Sequence, residues 1–181
     1  QIEGNIHTYF PLGNKFVLGV RGKAVVSSKG LLSNYTSTLI QAPAFTPTPH
    51  SKTIFNPAFR STQYLAAGVI PIWKILNNLQ FRNEFYVFAP FRQIYEGENM
   101  VPYYGKAFTK YHFMGESSLV LDLFFASISL YANYYDYPAR NWNFGIISVC
   151  WYSVLNSWNK KKSIYLKMGT IEKNHILEVK K

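Results

Sequence analysis

Four histidines, nine acidic residues and one cysteine are what this 181-residue chain offers for chemistry. His7, His50, His112 and His175 are scattered, with no two on a common strand or turn, which argues against an imidazole metal site. The single Cys150 excludes an internal disulfide and any multi-cysteine centre. Nothing beside it in sequence marks an activated thiol, so it reads as a lipid-facing or packing residue. Glu84, Glu116 and Asp122 have the residue type for a paired-carboxylate glycosidase. In a sheet with one polar face, such groups more commonly line that face as hydrogen-bonded charges. The chain contains no Gly-x-Ser-x-Gly elbow, no glycine-rich phosphate loop and no His-Glu-x-x-His helix. No catalytic residue, metal or cofactor is therefore expected here.

Composition points to strands as the elements that position these groups. Aromatic residues make up 18% of the chain, with 14 Tyr and 14 Phe, and charged residues 15%, against roughly 25% charged in an average globular protein. Aromatic and β-branched side chains fit a pleated surface. Mean hydropathy is nevertheless −0.07, so apolar and polar residues must be interleaved. No run approaches the ~18 apolar residues of a membrane-spanning helix. The net charge of +10 raises nucleic acid as a partner, but much of the excess sits late, at Lys160, Lys161, Lys162, Lys167, Lys173, Lys180 and Lys181. No nucleic-acid partner is expected.

Alternation with period 2 is the main signal. In 14–28, Phe16, Leu18, Val20, Gly22, Ala24 and Val26 alternate with Lys15, Arg21, Lys23 and Ser27, although Val17 and Val25 fall on the second face. In 78–91, Leu79, Phe81, Phe85, Val87 and Ala89 alternate with Gln80, Arg82, Glu84 and Tyr86. In 124–136, Ile128 and Leu130 oppose Ser127, Ser129 and Tyr131, and in 141–152 Trp142 and Phe144 oppose Asn143. Weaker copies at 2–10, 63–73 and 111–121 bring the expectation to about seven long strands. They run well past the ~5–6 residues of a soluble strand and reach the ~9–11 of a tilted membrane strand. Short connections at 11–14, 74–78 and 122–123 alternate with long ones at 29–62 and 92–109, the arrangement of outer-membrane barrels; only 137–140 breaks it.

The fold class expected is thus all-β: an antiparallel transmembrane β-barrel, of which residues 1–153 form an incomplete C-terminal part, because seven strands leave edge groups unpaired in hydrocarbon. The lipid-facing set is Phe16, Leu18, Val20, Phe81, Phe85, Val87, Ile128, Leu130, Trp142 and Phe144, with alternate residues turned to a wet interior. Tyr9, Tyr64, Trp73, Tyr103, Tyr134, Tyr135, Trp142 and Tyr152 lie near strand ends and fit either interfacial girdles or ordinary strand composition. The basic stretch 154–181 lacks period 2 and reads as a flexible or partly helical tail, or as an aberrant terminus. The Pro-rich loop 29–62 closes on Phe59 and Arg60 just before a strand. A loop this long in a compact unit is functional or disordered, and its arginine either stays solvated or reaches an inward carboxylate such as Glu84 or Glu116.

The stretch FNPAFRSTQYLAAGVIPIWKILNNLQFRNEFYVFAPFRQIYEG, with the final hairpin SISLYANYYDYPARNWNFGI, resembles the C-terminal barrel of patatin-like outer-membrane phospholipases. These belong to the bacterial surface-antigen superfamily, which includes BamA-type assembly proteins. The resemblance covers roughly 1–155. It implies that an external loop with an Arg-Gly-(Phe/Tyr) motif folds into the lumen; Phe59-Arg60-Ser61 stands in that place, followed by Tyr64-Leu65-Ala66-Ala67-Gly68. Ser61 replaces the motif glycine, and Phe88 stands where the family often has an acid, which leaves Glu84 or Glu116 as the arginine's partner. The resemblance further implies a barrel anchoring an N-terminal serine hydrolase for phospholipid or another acyl ester. Its partners would be the lipid bilayer of the bacterial outer membrane and the barrel-assembly machinery. A surface-antigen protein that assembles or translocates polypeptides, and a soluble basic all-β binding domain, are the competing expectations.

Overall fold

The computed structural model describes residues 1–136, 141–152 and 164–169, with the side chains of 141, 150–152 and 164–169 outside the description. Ten strands form: β1 (Ile2–Pro11), β2 (Phe16–Val26), β3 (Gln63–Lys74), β4 (Leu79–Pro90), β5 (Arg92–Glu96), β6 (Pro102–Ala107), β7 (His112–Asp122), β8 (Ala126–Tyr135), β9 (Asn141–Tyr152) and β10 (Ile164–Gly169). Eight of them make one sheet in the order β1-β2-β3-β4-β7-β8-β9-β10, every neighbouring pair antiparallel. The sheet therefore runs from an edge at β1 to an edge at β10. The hairpin β5–β6 is a separate two-stranded excursion between β4 and β7. No described helix is long and apolar enough to cross a membrane, which leaves crossing by strands open.

All seven expected strands form, each within a few residues of its expected ends. Three departures have physical causes. The loop 92–109 holds β5 and β6, because Ile94 and Tyr95 find Tyr104 and Tyr103 across a turn at Gly97. The loop 29–62 is ordered: it contains a short helix, α1 (Tyr35–Gln41), capped by Asn34, whose side chain accepts from Ser37 N, and two single 3-10 turns, His50–Lys52 and Pro57–Phe59. Within the expected tail, Ile164–Gly169 pairs with β9 as a strand, and there Ile164, Leu166 and Met168 do alternate with Tyr165, Lys167 and Gly169. The rest of the tail, the short connection 137–140, and the side-chain readings of Cys150 and Tyr152 lie outside the described residues.

Register fixes which side chains share a face, since successive residues point to opposite sides. The ladder Val20–Val69–Phe85–Gly115–Tyr134–Trp142 crosses six strands, and Phe16–Trp73–Phe81–Leu119–Leu130–Ile146 runs parallel to it. Both lie on one face. Every charged residue of β1 to β4, β7 and β8 falls on the other: Glu3, Arg21, Lys23, Lys74, Arg82, Glu84, Glu116 and Asp122. We call the two the bare face and the covered face.

The covered face holds the core. Phe45, Ala58 and Phe59 from the loop 29–62 pack on Val25, Tyr64, Ala66, Ile70, Ile72, Tyr86, Phe88, Met114 and Tyr135 of the sheet. A second cluster joins α1 to the β5–β6 hairpin through Leu39, Ala42 and Ile94. The expectation of a wet interior along alternate residues is thus corrected over much of this face: where strands carry Ile, Tyr and Phe inward, the apolar loop excludes water from them.

Gly68 is among the glycines on this face that are sterically fixed. Gly68 lies directly across from Tyr86, and a Cβ there would overlap the Tyr86 ring and approach Phe85 O at 2.9 Å. The ring cannot swing away freely, because its hydroxyl donates to the Glu84 carboxylate. Gly68→Ala is expected to destabilise the protein by about 1–3 kcal/mol through overpacking, read as a shift in the denaturant midpoint. Gly22→Ala, with open space around its position, serves as the silent control.

Candidate functional site

Two features of the molecule call for a function: the loop seated on the covered face, and the bare face opposite. The loop is tied down at its ends and its middle. Ser27 N donates to Thr62 O at 2.9 Å, and Phe45 N to Phe59 O at 2.9 Å, closing the base. Phe45 fits among Tyr64, Tyr86 and Phe88, with ring centroids 6.2, 5.7 and 5.9 Å away. Phe59 sits against Phe88, His112 and Tyr135 at 5.6, 5.8 and 6.1 Å. A gap lined by Phe45, Phe59, Met114 and Tyr135 measures about 10 Å³, no more than one water.

Polar ties reach from the wall to the loop. Arg21 Nη1 donates to Pro47 O at 3.2 Å, Tyr64 Oη to Ala44 O at 3.2 Å, and His50 Nδ1 lies 3.1 Å from Tyr135 Oη. Thr48 and Ser51 bond to each other reciprocally, which folds the tip into a tight turn beside Glu116 and Asn133. Ser61, fully buried, has its hydroxyl 3.0 Å from both Gln63 O and Arg92 O. The position that departs from the motif glycine thus joins the loop's end to the start of β5.

Phe59 does fold onto the covered face; Arg60 does not pair with either expected carboxylate. Its guanidinium donates to Leu39 O, Ile40 O and Ala42 O at 3.1, 3.4 and 3.3 Å, and rests 4.5 Å above the Phe55 ring. These carbonyls are the free C-terminal acceptors of α1, where a cation is favoured. Partial burial is the cause that pulls its pKa below the ordinary guanidinium value. The carboxylates are engaged elsewhere. Glu84 forms an ion pair with Arg82 at 2.6 Å and accepts from Tyr86 Oη. Glu116, facing Glu84 across the β4–β7 pair, lies against Thr48 and Asn133. The correction has a simple origin: Phe88 occupies the expected acid's position and is fully buried in the aromatic cluster, so no anion waits where the arginine would insert.

A double-mutant cycle tests this. Arg60→Ala is expected to cost about 1–2 kcal/mol, the range of hydrogen bonds from a charged donor and of a helix-terminal cation. Combined with Glu84→Gln, the two effects should add within about 0.5 kcal/mol. Coupling above 1 kcal/mol would restore a direct Arg60–Glu84 contact.

The bare face carries the whole expected lipid-facing set: Phe16, Leu18, Val20, Phe81, Phe85, Val87, Ile128, Leu130, Trp142 and Phe144 share it by register. Several are largely uncovered, Phe85 at 53%, Trp142 at 63% and Phe144 at 75%. Of the expected girdle residues, Trp73, Tyr134 and Trp142 lie on it. Tyr64 and Tyr135 lie instead under the loop, Tyr9 alternates to the covered side and Tyr103 belongs to β6. From β2 to β8, Asn83 and Ser117 interrupt the apolar band, with Gln63 at its loop-side margin; Asn83 and Ser117 satisfy each other, Ser117 Oγ donating to Asn83 Oδ1 at 2.6 Å. An open trough of about 500 Å³ crosses the face between Val69, Phe85, Phe113, Ala132 and Trp142.

Fold and site together define a class: a long-stranded antiparallel sheet whose charged face is plugged by its own loop and whose other face is apolar and uncovered. No family model matches the chain, and no curated protein or solved structure matches it.

Proposed function

We propose that this chain is part of the wall of a bacterial outer-membrane β-barrel, serving as the anchor and translocation module of a larger protein. The observation that carries the reading is the bare face. No charged residue lies on it from β1 to β9 among the described residues. Leu79 to Ala89 on β4 spans ten residue steps, roughly 34 Å at ~3.4 Å each, and a tilt of about 40° projects that to about 26 Å. Outer-membrane barrels carry an apolar band of ~25 Å. In water, an apolar surface of this extent is an aggregation liability.

The plug bears on the size of the ring. An eight-stranded barrel has an interior just wide enough for its own side chains. A loop that inserts Phe45 and Phe59 against five strands needs more room, so β1 and β10 would pair with further strands rather than with each other. The resemblance to patatin-like phospholipases carries the rest: the barrel would display an acyl-ester hydrolase, with phospholipid as the substrate class, and would be inserted by the barrel-assembly machinery.

The experiment is fractionation of the parent protein together with its upstream reading frame. The expected result is recovery in the outer membrane, extractable by detergent alone, with a Gly-x-Ser-x-Gly elbow upstream. Tandem small periplasmic domains would replace the hydrolase with an assembly factor while keeping the barrel. A parent that stays in solution without detergent would overturn the membrane reading.

A further inference from the structure

The three described hairpin turns at the end of the sheet opposite the loops have unusual tips. Turns that face water are typically built from Gly, Asn, Asp, Ser and Pro. Here the tips present Leu12, then Ile75 and Leu76, then Phe124 and Phe125, with exposures from 51% for Ile75 to 103% for Phe124. The antiparallel meander brings all three to one end. In the first turn the left-handed position is taken by Gly13, at φ +92, so Leu12 is not there for backbone reasons.

Charge and continuity indicate what covers them. Lys15 and Lys74 flank the first two tips and are exposed. The acid at this end, Asp122, is engaged by Ser127 Oγ at 2.7 Å and Gln80 Nε2 at 3.4 Å. Directly above the tips, on the bare face, Phe16, Trp73 and Phe81 form a contiguous aromatic row with centroids 5.1 and 6.1 Å apart. Rings at this position are what a membrane–water boundary favours, and Lys74, at the end of β3 on the opposite face, reaches the same end of the sheet.

We infer that the turn end is a lipid-binding surface: the tips of Leu12, Ile75, Leu76, Phe124 and Phe125 sit in the boundary layer of the membrane, and Lys15 and Lys74, at the rim beside the first two tips, add positive charge close to the phosphates of anionic lipids. The inference rests on the barrel reading and deepens it, because it places the turn end within the lipid layer rather than projecting into the aqueous space beyond. A lysine near an anionic surface gains favourable electrostatic energy that falls off within a Debye length, so the contact is local to these tips.

The test uses the full parent protein in a Cys150→Ser background, with single cysteines at Phe124, Leu76, Leu130 or Lys52 carrying an environment-sensitive fluorophore. It is reconstituted in vesicles of phosphatidylethanolamine and phosphatidylglycerol. Spin-labelled lipids quench from shallow or deep positions, and iodide quenches from water. The expected result is deep quenching at 130, shallow quenching at 124 and 76, and free iodide access at 52 in the long loop. Iodide quenching at the tips should be severalfold weaker than at 52, and Lys15→Glu with Lys74→Glu should reverse that protection. Tips as open to iodide as position 52, with 130 still quenched from the deep position, would overturn the inference and leave the barrel standing. Absence of lipid quenching at 130 would overturn both.

Discussion

Val20→Arg and Leu130→Arg are each expected to destabilise the membrane-inserted protein by about 2–4 kcal/mol, while Ser129→Arg costs well under 1 kcal/mol. Val20 pairs with Val69, one step from Phe85 near the centre of the apolar band, and Leu130 lies between Leu119 and Ile146. Ser129, one residue away, points to the covered face opposite Val120 and Ile147. Both Val20 and Leu130 are exposed when nothing but this chain is present. In water, substitutions at such sites stay within about 0.5 kcal/mol; against acyl chains, the guanidinium must be desolvated or must distort the bilayer. The measurement is urea unfolding from vesicles. Three equal and small effects would remove lipid from the bare face. Large effects at Val20 and Leu130 that persist in lipid-free water would instead indicate a second protein layer packed on it.

The same contrast shows what the residue order could and could not convey. Alternation is a local property, written out along each strand, and a one-residue slip would turn every side chain over. The expected faces of β2, β4, β8 and β9 therefore agreed once their register was known, although the chain gives no pairing directly. What covers a face is not local. Phe45 meets Tyr64, Tyr86 and Phe88, partners far along the chain, and nothing in its Pro-rich surroundings signals an aromatic socket. Val17 and Val25 on the polar face of β2 were the one hint: both join the core under the loop. Arg60 was legible as a residue with a task but not in its partners, which are carbonyls of α1 some twenty residues upstream. Strands β5 and β6, at five and six residues, fall below the length at which alternation separates from chance.

Phe45→Ala should produce the other large effect, and it tests the plug rather than the wall. Phe45 is 2% exposed and contacts three aromatic rings. Removing such a ring costs about 3–5 kcal/mol when the site cannot collapse. Here collapse is hindered from two sides: Phe45 N is bonded to Phe59 O, and the Tyr86 ring is held by Glu84 and lies over Gly68. The loss therefore falls on the seating of the loop, which Phe59 and polar ties such as Arg21 to Pro47 O would have to sustain without it. In the proposed barrel, the loop would leave the wall for part of the time and expose the ionic row of Arg21, Arg82, Glu84 and Glu116. The expected readout is twofold: faster protease cleavage within 29–62, and current fluctuations across a planar bilayer that the parent with Phe45 intact lacks. Phe55→Ala is the matched control, because Phe55 is half exposed and touches Arg60 rather than the wall. Should Phe45→Ala lose less than about 1 kcal/mol with cleavage unchanged, the energy holding the loop does not reside in the aromatic socket, and the polar ties must carry it.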